Sequence, residues 1–226
     1  MDNIKEEFIE FMLSAGALRF GDFTTKSGRK TPYFVNTGAY VKASQIRILG
    51  EFYARAIHAA FGEGIDNLFG PAYKGIPLAV TASIAINNLY GRDVTYTFNR
   101  KEAKDHGEGG TLVGYGYPAG GSPCKVVIIE DVTTAGTSVR ESLPLLAKPG
   151  VTVVGLAVSV DRMERGQGDR PALREIREDF GLKTTAIVTL LDILAFLESG
   201  RGGRFLTVDP SLLERMKAYH QAYGAT

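Results

Sequence analysis

At 226 residues the chain is long enough for one α/β domain with a substantial core, although length alone leaves two domains possible. Its composition, 44% hydrophobic and 23% charged, is ordinary for a globular protein, and a net charge of +1 gives no global field favouring nucleic acid or an anionic membrane. The single cysteine, Cys124, excludes an internal disulfide framework and a cysteine-based zinc site; it suits a reducing compartment and reads as a small core or edge residue.

The opening MDNIKEEFIEFMLSAGAL carries acids where a signal peptide needs a basic start, and no apolar run reaches membrane-spanning length, so a cytoplasmic location is expected. Asn3 with Glu6 three residues on fits a helix start, and Ile4, Phe8, Phe11 and Met12 recur at helical spacing up to about Ser14-Ala15-Gly16. Phe23 to Asn36 reads as two short strands around a Ser27-Gly28 turn. Ser44 can cap a second helix with Ile46, Leu49, Tyr53, Ile57 and Ala60 on one face. The chain then alternates. Strands are expected at 67–69, 94–99, 125–129, 151–160 and 184–188, and helices at 76–90, 137–146, 171–180 and 191–199, with a last helix at 211–223. A charged loop is expected at 100–110. Val/Ile runs without polar alternation indicate strands covered on both faces, hence an α/β fold with a parallel sheet. No internal repeat or low-complexity tract divides the chain, so a single domain with a small N-terminal hood over about residues 1–40 is the economical reading.

In open parallel sheets ligands sit beyond the carboxyl ends of the strands, which points to the segments after Phe69, Asn99, Ile129 and Val160. The most informative is VVIIEDVTTAGTS, Val126 to Ser138. A glycine-containing turn from strand into helix presents backbone N–H groups and a helix N-terminus, which together attract an anion. The turn lacks the Gly-Lys-Ser/Thr of a nucleotide P-loop and the spaced glycines of a dinucleotide fold. Adjacent acids would repel a phosphate, so Glu130 and Asp131 suit hydrogen-bond donors such as vicinal ribose hydroxyls. The plainer alternative is a strand-end acid that caps the next helix.

The stretch resembles the phosphoribosyl-diphosphate (PRPP) motif of type I phosphoribosyltransferases. FTTKSGRKTPYFVN, FGPAYKGIPLA, FNRKEAKDHGEGG and DRMERG extend the likeness to nearly the whole chain, and together they resemble orotate phosphoribosyltransferases of the compact bacterial type. The resemblance implies a type I phosphoribosyltransferase fold, a parallel sheet with helices on both faces. It implies that Glu130 and Asp131 meet the ribose and that Val132, Thr133, Thr134, Ala135, Gly136, Thr137 and Ser138 hold the 5′-phosphate. PRPP is also expected to meet Lys26, Tyr73, Lys74, Arg100, Lys101, Lys104 and His106. Orotate is placed against Lys26, Phe34, Val35, Thr134 and Arg162. Catalytic roles fall to Lys101, Lys104, His106 and Asp131.

These segments also have a chemical logic of their own. Arg100, Lys101, Lys104 and His106 share a loop with Gly107, Gly109 and Gly110, a combination that suits a lid over a polyanion; Glu102, Asp105 and Glu108 leave a solvated charged loop as the alternative. His58 and His220 lie in helices and read as structural or surface groups. Lys74 sits in a strand-to-helix loop, where a lysine is otherwise a common surface residue. Arg162 follows a strand end, where its forked donors suit a carboxylate; Arg165 competes for that role and Asp161 reads as structural. Two positions depart from the family pattern: Val35 stands where Phe is common, and Glu130 where Asp is frequent.

The reaction implied by the resemblance is PRPP plus orotate giving orotidine 5′-monophosphate and diphosphate, a step of pyrimidine biosynthesis. Oxocarbenium character would build at C1′ without a protein nucleophile. Mg²⁺ is expected on substrate and water oxygens, with no ligand directly from the protein. A homodimer is implied, with Arg100, Lys104 and His106 acting across the interface and Lys101 in its own subunit. No nucleic-acid or membrane partner is expected. A purine phosphoribosyltransferase and a non-catalytic PRPP-responsive regulator are the alternatives. Against the first stand Ser27-Gly28-Arg29 and the lysine-rich lid; against the second, the intact lid and the lack of a basic face. A fused decarboxylase barrel would need about 200 further residues.

Overall fold

The computed structural model describes residues 3–25, 28–104, 110–117, 123–133, 136–166, 168–201 and 210–225. Helix α1 (Asn3–Ser14) leads into an antiparallel ribbon of β1 (Leu18–Thr24) and β2 (Lys30–Val35), paired from Leu18↔Val35 to Thr24↔Lys30. After a 3₁₀ turn at Thr37–Ala39 come α2 (Ala43–Phe61), β3 (Asn67–Gly70), α3 (Gly75–Tyr90), β4 (Thr95–Lys104), β5 (Gly110–Gly114), β6 (Cys124–Thr133) and α4 (Thr137–Leu146). The chain continues through β7 (Val151–Asp161), α5 (Ala172–Phe180), β8 (Lys183–Thr189), α6 (Leu190–Glu198) and α7 (Pro210–Tyr223). The main sheet has the order β5-β4-β3-β6-β7-β8, with β5 antiparallel to β4 and every other pair parallel.

The apolar runs are buried as their composition demands. Side chains alternate along a strand, so neighbours in one run serve opposite faces of the sheet. Val127 and Ile129 join a cluster with Phe8, Met12, Tyr53, Ile57, Leu78 and Ala82 from α1, α2 and α3. Val126 and Ile128 join a second with Val139, Leu146, Leu173 and Ile176 from α4 and α5. Both faces of the central strands are therefore dry, which is why the run carries no polar alternation. The ribbon is held by α1 and α7. Phe8 of α1, fully buried, packs its ring 4.9 Å from Phe52 of α2, which seats α1 on the core, and Tyr33 of β2 meets Tyr219 of α7 edge-on at 5.8 Å.

Three local expectations change. Arg100–Lys104, expected in a loop, continue strand β4, and β5, not expected at all, returns beside it with Asn99↔Leu112 and Lys104↔Gly110 in register. Strand β1 begins at Leu18, earlier than expected, because a register irregularity between Phe20 and Phe23 breaks the two-residue alternation. Helix α2 is capped at Lys42 rather than Ser44: the Gln45 side-chain oxygen accepts from the backbone N–H groups of Val41 (3.1 Å) and Lys42 (3.0 Å).

Candidate active site

From β3 the chain moves outward to β4, and β6 then pairs on the opposite side of β3, so strand order reverses between β3 and β6. A crevice opens beyond the carboxyl ends at such a reversal. The β3–α3 loop forms one wall. It is too tight for side chains at its two glycines: a Cβ on Gly70 would lie 2.1 Å from the Gly75 carbonyl oxygen, and one on Gly75 would lie 2.7 Å from the Gly70 carbonyl carbon. The Ala72 N–H donates to Asn99 Oδ1 at 2.9 Å, tying the loop to β4. Tyr73 projects into solvent at 67% exposure, with Lys101 Nζ 4.8 Å from its ring centroid. Two predicted site residues thus meet across the crevice rim.

The paired acids lie near the end of β6, just before Val132 and Thr133, but have different neighbours, as alternation along a strand requires. Asp131 Oδ2 accepts from Lys74 Nζ at 2.9 Å and from Thr37 Oγ1 at 2.6 Å, so one carboxylate joins β6, the β3–α3 loop and the turn after the ribbon. The Lys74–Asp131 pair crosses the reversal point itself. Glu130 Oε2 instead accepts from Ser138 Oγ at 2.9 Å, in the first turn of α4. The acids' backbone carbonyls are pinned as well, Glu130 by Tyr53 OH and Asp131 by Ser159 Oγ, each at 2.6 Å. Both acids are nearly buried, at 9% exposure.

Glu130 is pushed up to about 7, first by burial and then by the neighbouring Asp131 charge, partly offset by the Ser138 hydrogen bond and by Lys74. Its neutral form is favoured in the folded chain, against an ordinary value of 4.5. The contribution to stability is therefore complete below about pH 4.5 and is lost as pH rises to about 7, a loss of at most about 3 kcal/mol. Denaturant midpoints measured across this window are expected to decline more steeply for the parent chain than for Glu130→Gln. Parallel profiles would contradict the assignment.

Helix α4 starts at Gly136, whose φ of +67° suits glycine, and a Cβ there would approach Ile176 Cδ1 to 2.9 Å. Its first N–H groups have no partner within the helix, and Thr137 is exposed. This is an anion-binding geometry. It puts the acceptor-rich acids and the donor-rich helix start side by side.

Beyond β7, Arg162 is 6% exposed, with its guanidinium carbon 4.6 Å above the Tyr33 ring. Glu164 Oε1 takes its Nε at 2.8 Å and its Nη2 at 2.6 Å, and Tyr219 OH lies 3.3 Å from the same Nη2. Glu164 Oε1 also accepts from Tyr219 OH (2.9 Å) and Tyr33 OH (3.3 Å), while Oε2 accepts from Arg29 Nη1 (3.1 Å). Burial raises the pKa of Tyr33 and Tyr219, which keeps both phenols protonated as donors. Phe34 is 43% exposed and stacks on Phe23 at 5.5 Å; Val35, half-buried, ends the ribbon next to the turn that carries Thr37.

Lys26, His106, Thr134 and Ala135 lie outside the described residues, as do the side chains of Lys104 and Thr133. Sequence reasoning missed Thr37, Tyr53, Ser159, Glu164 and Tyr219. Only Glu164 had a local signal, as the acid within DRMERG.

A parallel sheet whose reversal point holds paired acids beside a hydroxyl-rich helix start defines the phosphoribosyltransferase class, and residues 36–173 match the family model for the phosphoribosyl transferase domain. The chain is 54% identical to the orotate phosphoribosyltransferase of Lachnoclostridium phytofermentans over 99% of both chains, and 53% identical to that of Clostridium beijerinckii over the full length of both. The crystal structure of orotate phosphoribosyltransferase from Francisella tularensis superposes with a TM-score of 0.82 at 35% identity, covering 97% of this chain and 100% of that one. The chain belongs to the orotate phosphoribosyltransferase family.

Proposed function

We propose that the chain transfers the 5-phosphoribosyl group of PRPP to orotate, giving orotidine 5′-monophosphate and diphosphate in pyrimidine biosynthesis. The Lys74–Asp131 contact across the β3/β6 reversal carries the reading, because it sets a cation for diphosphate against an acceptor for ribose hydroxyls. On PRPP binding Lys74 turns to the diphosphate and Asp131 to the ribose, with Glu130 as the second acceptor. The segment from Val132 to Ser138 takes the 5′-phosphate, with Gly136 opening the backbone N–H groups of α4. Tyr73 and Lys101 close over the diphosphate, joined by Arg100, Lys104 and His106. The base lies against Lys26, Phe34, Val35 and Thr134, with its carboxylate toward Arg162.

Positive charge placed where diphosphate charge develops, together with positioning of C1′ against the base nitrogen, accounts for the rate without a protein nucleophile. Mg²⁺, when bound, neutralises part of the diphosphate charge. The donor set fits a metal held mainly by PRPP and water, since the ribose hydroxyls engage Asp131 and Glu130 once PRPP is bound. No described helix is long and apolar enough to cross a membrane. Action in the cytoplasm belongs to the same proposal.

The working unit is a homodimer in which the β4–β5 hairpin reaches the neighbouring site, with Arg100, Lys104 and His106 acting across the interface and Lys101 within its own subunit. Lys74→Ala and Lys104→Ala chains, each inactive in PRPP-dependent orotate consumption, are expected to regain activity when mixed, since each hybrid dimer restores one of its two sites. Verified hybrids without activity would refute the sharing.

A further inference from the structure

We propose that Glu164 and Tyr219 are positioning residues that hold Arg162 for a carboxylated pyrimidine, so that the C-terminal helix helps set base selectivity. The inference rests on the reading of Arg162 as the group that meets the orotate carboxylate. Glu164 collects donors from three parts of the chain: Arg162 from its own loop, Arg29 and Tyr33 from the ribbon, and Tyr219 from α7. Its backbone is fixed on both sides. Glu164 bridges Gly224, the Arg165 N–H donates to the Tyr223 carbonyl at 3.2 Å, and the Ala225 N–H donates to the Met163 carbonyl at 3.0 Å. Arg29 is braced as well, its guanidinium 4.5 Å from the Tyr223 ring centroid.

Charge and donor geometry then point the same way. Arg29 and Arg162 share one carboxylate and the two phenols remain neutral, so the cluster carries one excess positive charge, with Arg162 nearly buried and Arg29 part-exposed. An unmatched buried cation is costly and is stabilised by an anion that completes the cluster. Glu164 occupies the Nε and Nη2 side of Arg162, and Nη1 makes no hydrogen bond among the described residues. Arg162 is therefore locked with a donor to spare before any base arrives. Such preorganisation removes the entropy cost of ordering a long side chain on binding. A base with a carboxylate completes the cluster; a base without one leaves the charge unmatched.

Steady-state kinetics on the full chain separate this from a scaffold role. Glu164→Gln is expected to raise KM for orotate about tenfold or more, and Tyr219→Phe about threefold, from loss of hydrogen bonds at a charged group. KM for PRPP stays within about twofold in both. Within an Arg162→Lys background, Glu164→Gln adds no more than about twofold, because both changes remove the same geometry. Parallel loss for both substrates, or effects that multiply in the Arg162→Lys background, overturns the proposal in favour of a purely structural cluster. If Arg162→Lys raises KM for orotate while Glu164→Gln and Tyr219→Phe leave it at the parent value, positioning fails and the Arg162 reading stands. An unchanged KM in Arg162→Lys removes both. Should Glu164→Gln not fold, Tyr219→Phe decides alone: a threefold rise supports positioning and no rise overturns it.

Discussion

Asp131→Asn is expected to lower kcat/KM for PRPP by about 10²–10³-fold. The substitution keeps the volume of the side chain, so the packing that buries it at 9% exposure is preserved. What it removes is charge and one acceptor. Oδ2 is where Lys74 and Thr37 converge, at 2.9 and 2.6 Å, and an amide there can no longer match the lysine or accept two ribose hydroxyls. Hydrogen bonds to a charged partner contribute about 1.5–3 kcal/mol each, and two at the lower end of that range, about 3–4 kcal/mol together, correspond to the stated loss. The decrease should fall on PRPP, with a much smaller change in the apparent affinity for orotate. Initial rates with each substrate varied in turn check this. An equal loss for both substrates would move Asp131 from donor recognition to general scaffolding.

The second large effect is expected at Arg162, where Lys keeps the positive charge but loses the planar fork. Lysine offers a point charge on a flexible stem, and cannot reach Glu164 with two parallel donors while presenting a third. KM for orotate is expected to rise at least about tenfold, while PRPP binding measured by titration calorimetry stays within about twofold. Arg162→Ala is the blunter change. It leaves Glu164 with Arg29 as its only cationic partner among the described residues, and breaking a buried pair of this kind costs about 3–5 kcal/mol of stability. The lysine variant therefore separates recognition from folding. If its KM for orotate matches the parent value, Arg162 does not bind the base and a neighbouring cation must be sought.

Much of this architecture is legible in the chain because it rests on short-range regularities. Val126–Ile129 could only be a strand covered on both faces, and the two core clusters divide its side chains in alternation. The helix after Gly136 spans the residues expected of it because the strand-to-helix turn and the apolar spacing are local. What stayed hidden depends on partners distant in sequence. Residues 94–99 were legible as a strand, but Arg100–Lys104 looked like a loop because the charges and glycines of 100–110 carry no alternation; β5 pairs with Tyr96 to Asn99 of β4, a partner its own composition does not announce. Thr37 lies 94 positions from Asp131, and Glu164 lies 135 from Arg29 and 55 from Tyr219. No periodicity encodes such contacts. The acids show both limits at once. Their place at a strand end was readable from the sequence, whereas their separate partners, Lys74 and Thr37 for one and Ser138 for the other, required the fold.

The most direct test of the account is base selectivity. Purified chain supplied with Mg²⁺ and PRPP is incubated separately with orotate, uracil, hypoxanthine and adenine, and base consumption is followed by ultraviolet absorbance. Orotate alone should be consumed, with orotidine 5′-monophosphate and diphosphate formed in equal amounts. Turnover of another base in place of orotate would contradict it.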